Sequence, residues 1–245
     1  MGKYLEDYLL LYTFIPGLHS LQKIYFKKLG EVQLHTGRNL LIIHSVCYFY
    51  GNAATEELSR LLAADIQNQW NEARGSVRVQ QQVYNVQFVT EGMYAPLLTP
   101  EMVFENVHPA NNYFRIETYA RDNISFADGV GSNTGYFKLD NLFDHSTTAA
   151  HEYGHSIGLE HPNDLDIRGQ GVPGIMYPRD TIVDPPFQYD PYARPFGPGG
   201  TINPVSRKVL QQDINNLRLH RLAYNRQGVA VLGNFTSLWH AAHQP

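Results

Sequence analysis

The run from His151 to His161, reading HEYGHSIGLEH, constrains this 245-residue chain more than any other stretch. Residues four apart share one helical face, so His151 and His155 would present two imidazoles from adjacent turns. Glu152, about 100° further round, could then hold a water beside whatever the imidazoles bind. A third imidazole cannot come from the next turn of the same helix. Gly158 permits a bend there, because left-handed backbone is sterically open to glycine, and His161 can fold back toward the other two. Three nitrogens with a fourth position left to water is the arrangement of a catalytic zinc site, whereas structural sites are closed. Packing alone is a poor explanation, since three imidazoles and a carboxylate make bad core material without a partner that satisfies them.

The rest of the composition permits a globular enzyme and excludes other classes. Hydrophobic residues make up 43% of the chain and charged ones 17%, enough for a real core. A formal net charge of -4 supplies no electrostatic footprint for nucleic acid or an anionic membrane. The single cysteine, Cys47, rules out an intramolecular disulfide framework. The apolar stretch Tyr8 to Ile15 is too short for a membrane span. It also follows Glu6 and Asp7 and precedes no small-residue cleavage pattern, so it does not read as a signal peptide.

Residues 1–37 show broken periodicity and read as an N-terminal extension; residues 38–245 read as one catalytic domain divided near residue 161. Leu40 to Tyr50 is a continuous apolar run rich in β-branched and aromatic residues, expected as a central strand covered on both faces. Thr55 is placed to cap an amphipathic helix carrying Leu58, Leu62, Ile66 and Trp70 and ending by Gly75. Period-two alternation follows around Val77 to Phe88, Phe114 to Thr118 and Tyr136 to Leu139. The zinc-motif helix is expected from Ser146 or Thr147 to Gly158. A proline- and glycine-rich loop should run from Asp184 to Gly200, and a helix should start at Asn203-Pro204 and carry Val209 or Leu210, Ile214 and Leu217 on one face.

These residues resemble the metzincin clan of zinc peptidases, whose motif HExxHxxGxxH is matched at each fixed position. Gly174-Ile175-Met176-Tyr177-Pro178 is similar to the matrixin Met-turn, and Val209 to Leu217 to the matrixin C-terminal helix. The resemblance implies an α+β fold, with a twisted mixed sheet and two helices in an upper subdomain and an irregular lower subdomain ending in a helix. It implies a zinc endopeptidase with His151, His155 and His161 as ligands, Gly158 and Met176 in support, and Glu152 as general base and then general acid. Its substrate would be a protein or peptide lying extended along an edge strand, which the clan's order of elements puts at Gly131 to Asp140. A monomer that is secreted or periplasmic is also implied. The match is not uniform. Pro162 is serralysin-like, Asp180 stands where a matrixin has the tyrosine of its pocket wall, and Pro178 occupies the astacin tyrosine position, so Tyr177 is not expected to be a ligand.

Other candidates carry less. Asp128 and Asn133 hint at a calcium loop, without its full ligand pattern. Cys47 reads as a buried thiol and not as a latency ligand, and His145 as an exposed residue near the helix cap. Tyr189 and Tyr192 could line a pocket or stabilise an oxyanion, and Glu6 or Asp7 could cover the cleft. Two functions from outside the endopeptidase class remain open: a toxin-like or recognition module that keeps zinc with restricted or lost proteolysis, and an amidase acting on a non-protein amide. Glu152 argues against the first, because a purely structural site needs no base.

Overall fold

The computed structural model of the chain describes residues 31–143 and 145–244, so the reading of Glu6 and Asp7 lies outside the described residues. In chain order the regular elements are β1 (Val32–His35), β2 (Leu40–Tyr50), α1 (Glu56–Glu72), β3 (Ser76–Val79), β4 (Gln82–Tyr94), α2 (Pro100–Phe104), β5 (Asn111–Glu117), β6 (Phe126–Ala127), β7 (Thr134–Lys138), α3 (Thr148–Ser156), α4 (Gln211–Asn216) and β8 (Val229–Ala230). The fold is α+β. Its mixed sheet runs β3-β4-β2-β5-β7-β6, with β1 and β8 added beside the N-terminal half of β2. β4, β2, β5 and β7 are parallel, while β3 and β6 run antiparallel to their neighbours.

The apolar run becomes the central strand, but its two faces are not equally covered. Leu41, Ile43, Cys47 and Phe49 are fully buried, whereas the alternate residues from Leu40 to Tyr48 are only half-buried. The covered face packs on Leu62, Ile66 and Trp70 of α1 and on Ala149, Ala150 and Tyr153 of α3. Each large side chain fully buried there contributes roughly 1.5–3 kcal/mol. Desolvation pushes the Cys47 thiol up to about 12, so the residue is inert packing.

Helix α1 begins as its sequence suggests, with the Thr55 hydroxyl accepting from the Leu58 amide at 3.1 Å. It lies very close to β4: a Cβ added to Gly92 would sit 2.1 Å from the Ser59 carbonyl oxygen.

Among the described residues the sheet begins at Val32, inside the stretch read as an extension. Four residue pairs tie β1 to β2, and Val32 and Gln33 also pair with β8. A short run like β1 carries too little pattern to be seen before its partners are known, whereas β8 falls within the apolar run Val229 to Leu232 that the sequence offers as a strand. The helix expected from Asn203 is broken. Asn203 does cap a first turn, its side chain accepting from Val205 N, but that turn ends at Ser206, and α4 begins only at Gln211. The intervening Lys208 donates its amide to Pro173 O at 2.9 Å and forms a bridge with Gly174, which takes the backbone out of helical pairing.

The segment 131–140 is not the sheet edge. β7 is hydrogen-bonded on both sides, to β5 and to β6, and the edge falls on Phe126–Ala127. Alternation of side chains is identical for edge and inner strands, so the sequence pattern could not separate them. After His161 the chain is largely irregular. It is organised by isolated bridges and a small cluster of Ile167, Val183 and Ile202. No helix among the described residues is long and apolar enough to cross a membrane.

Gly92→Ala should lower stability by about 1–3 kcal/mol, because backbone and not a flexible side chain blocks the added methyl. Chemical denaturation measures this, and an unchanged midpoint would show that α1 can move away at no cost.

Candidate metal centre

Helix α3 is held before any metal is considered. The Trp70 indole N–H donates to Ala150 O at 3.0 Å, the Tyr153 hydroxyl meets Ser45 Oγ at 2.8 Å, and Thr147 Oγ1 donates to Pro204 O at 2.7 Å. The cap falls on the expected pair, which divides the task. Thr147 precedes the helix but spends its hydroxyl on Pro204, and Ser146 Oγ accepts from the Thr148 amide instead. At the other end Gly158 has φ +102°, with Gly158 N donating to His155 O and Leu159 N to Gly154 O. This is the paired closure of a glycine-terminated helix. It turns the chain so that His161 returns to the helix.

The three imidazoles meet. His161 Nε2 lies 3.0 Å from His151 Nε2 and 3.1 Å from His155 Nε2, and the three candidate ligand atoms are all within 4.8 Å of one another. The opposite nitrogens fix two of the tautomers. His151 Nδ1 is 2.7 Å from Ile175 O and His155 Nδ1 is 2.8 Å from Leu159 O. A carbonyl only accepts, so both Nδ1 atoms carry hydrogen and both Nε2 atoms present lone pairs to the same point. Lone pairs converging this closely repel unless a cation lies between them. Tetrahedral zinc at about 2.0–2.1 Å from each nitrogen would hold them roughly 3.4 Å apart, within a few tenths of the spacing found. Burial lowers the pKa of all three rings, most strongly for His151, which keeps them neutral and competent as ligands.

Glu152 is buried beside the triad. Its Oε2 accepts from Ala127 N at 2.9 Å, and among the described residues no hydrogen bond reaches Oε1. Desolvation raises its pKa to about 7, against the opposing effects of the Ala127 amide, Arg207 and Arg179. The Ala127 amide points away from β7, to which Asp128 N donates instead, so the outer edge of β6 faces Glu152.

Met176 is 2% exposed, and its sulfur would lie 2.3 Å from a Cβ on Gly154. Glycine at 154 thus admits the Gly174–Tyr177 turn against the ligand helix. Sequence reading missed what holds that turn. Asp213 of α4 accepts from the amides of Leu210 and Ile175, and the Ile175 carbonyl in turn orients His151. The signal for Asp213 lay only in its place three residues after a helix start.

The remaining candidates separate from the site. Asp128 pairs with His240 at 2.8 Å and accepts from Thr134 Oγ1, and Asn133 Oδ1 accepts from the Thr236 amide. Those oxygens serve the chain's own tail, which leaves the calcium reading without support. His145 is exposed, Tyr189 is half-exposed, and Tyr192 is 96% exposed at a loop tip.

No known family profile matches the chain, and no curated protein matches it. Among solved structures, archaemetzincin from Methanopyrus kandleri overlaps with a TM-score of 0.29 and 14% identity, over 50% of this chain and 78% of that one. Myroilysin overlaps with a TM-score of 0.26 and 14% identity; the match covers 53% of this chain and 54% of myroilysin. Overlaps this low carry no argument about function.

Burial pushes Asp213 from 3.8 up to about 6, although both amide partners favour its charged form. A carboxyl that holds its proton more tightly folded than unfolded contributes stability in full below about pH 4. That contribution is lost as the pH rises through about 6. In chelated protein, the melting temperature of the wild type relative to Asp213→Asn should therefore fall between about pH 4 and 7. A difference independent of pH would remove this account.

Proposed function

We propose that this protein is a zinc-dependent endopeptidase in which His151, His155 and His161 hold the metal and Glu152 is the general base and acid. The observation that carries the reading is the position of Glu152. It is a buried carboxylate beside three converging imidazoles, with one oxygen anchored and the other unclaimed. Imidazole donors suit zinc. Bound there, zinc would polarise a peptide carbonyl and make water acidic enough to deprotonate near neutral pH.

The residues of the chain supply the rest. The Ala127 amide fixes one oxygen of Glu152, so that Oε1 can take the proton from the attacking water and return it to the leaving amine. The carbonyls of Ile175 and Leu159 hold the rings of His151 and His155 in the ligating tautomer. Gly158 and Met176 support this set, one by the bend that returns His161 and the other by filling the space beside Gly154, in the manner of a Met-turn.

An extended peptide would add to the outer edge of β6, which runs past Glu152. A module that only binds zinc leaves the buried Glu152 without a role, so recognition without hydrolysis is the weaker reading. By the clan resemblance, the enzyme acts as a secreted or periplasmic monomer.

Glu152→Gln should cut peptide turnover by roughly 10²–10⁴ with metal content unchanged, since the loss is that of a proton-transfer group. His161→Ala should lower metal affinity at least about tenfold, read by equilibrium dialysis with zinc. Wild-type turnover in the glutamine variant, or unchanged dialysis in the alanine variant, would overturn the corresponding role.

A further inference from the structure

Arg207 is a buried cation without a hydrogen-bonded partner among the described residues. It is 4% exposed, its Nε has no hydrogen bond, and no hydrogen bond or ion pair among the described residues engages its guanidinium. Such a group carries a desolvation cost that proteins ordinarily offset with a carboxylate.

The root of the side chain is rigidly placed at the metal centre. Arg207 N donates to Pro204 O, the same carbonyl that receives Thr147 Oγ1 from the start of α3, and Lys208 N donates to Pro173 O beside the Gly174–Tyr177 turn. From there the guanidinium acts electrostatically on Glu152 and on all three imidazoles, with the exposed Arg179 adding a second positive charge. The acid that bears on it most, Glu152, already accepts from the Ala127 amide and does not bond to it.

We propose that Arg207 is the recognition residue for a carboxylate that the substrate brings next to the scissile bond, which makes acidic peptides the preferred substrate class. The planar fork of arginine matches a carboxylate with two parallel hydrogen bonds, and the buried setting strengthens them. The carboxylate belongs to an Asp or Glu side chain flanking the cleaved bond or to a free peptide C-terminus. The term substrate rests on the peptidase reading; the anion site does not.

The test uses the zinc-loaded full chain and internally quenched peptides in matched pairs. One set exchanges Glu for Gln at each flanking position with the C-terminus amidated. The other compares free and amidated C-termini on a neutral sequence. A charge-assisted pair should raise kcat/KM about tenfold or more in one of the two sets, and Arg207→Gln should bring that ratio close to one. Arg207→Lys should keep part of it. Arg207→Met, close in volume, replaces the glutamine variant if the latter does not melt cooperatively.

A ratio near one in both sets for the wild type, or a ratio unchanged by Arg207→Gln, overturns the proposal. Binding of the same labelled peptides to chelated protein, read by fluorescence anisotropy, separates the two claims. If no cleavage is chelator-sensitive, the peptidase reading fails. The anion site then stands on tighter binding of the acidic peptide that Arg207→Gln abolishes, and falls if both peptides bind alike.

Discussion

The candidate metal site depends on two hydrogen bonds on the outer side of its rings, His151 Nδ1 to Ile175 O and His155 Nδ1 to Leu159 O. By claiming the ring protons, these carbonyls leave lone pairs on the inner nitrogens, and the site becomes a demand for a cation. Neither carbonyl belongs to a residue whose side chain is chemically suited to the task. Leu159 is placed by the helix closure at Gly158, and Ile175 by a turn that Asp213 holds from beneath. The His151 ring is thus joined to α4 through the Ile175 backbone and the Asp213 carboxyl.

Cleft electrostatics follow from the same packing. Burial that holds the imidazoles neutral also raises Glu152 and pulls Arg207 down to about 10, still cationic at neutral pH. Glu152 thus faces the guanidiniums of Arg207 and Arg179, while the Asp180 carboxyl bears on His161. With a formal charge of -4 over the whole chain, long-range attraction of acidic ligands is weak, and the selectivity proposed for Arg207 arises at contact.

The sequence was most legible where a constraint is short-ranged. Ligand spacing, the Gly158 bend, the Thr55 cap and the Leu40–Tyr50 strand all follow from chemistry within a few residues, and each is found in the structure. What failed to show was set by distant partners. β7 is an inner strand only because Phe126–Ala127 folds beside it, and the helix expected from Asn203 breaks because residue 208 pairs across to Pro173. Arg207 is indistinguishable from a surface arginine until its surroundings are known. The oxygen-rich loop at 128–133 resembles a cation site locally, yet its donors meet Thr236 and His240, more than 100 positions later.

Residues 229–243 have a bearing on synthesis. Trp239 stacks on Tyr50, His240 grips Asp128, and His243 stacks on Tyr136. Strand β8 meanwhile pairs with β1. A nascent chain that has already released residues 151–161 from the ribosome still lacks these partners, so Tyr50, Asp128, Tyr136 and β1 reach their final packing only after that later stretch has been made.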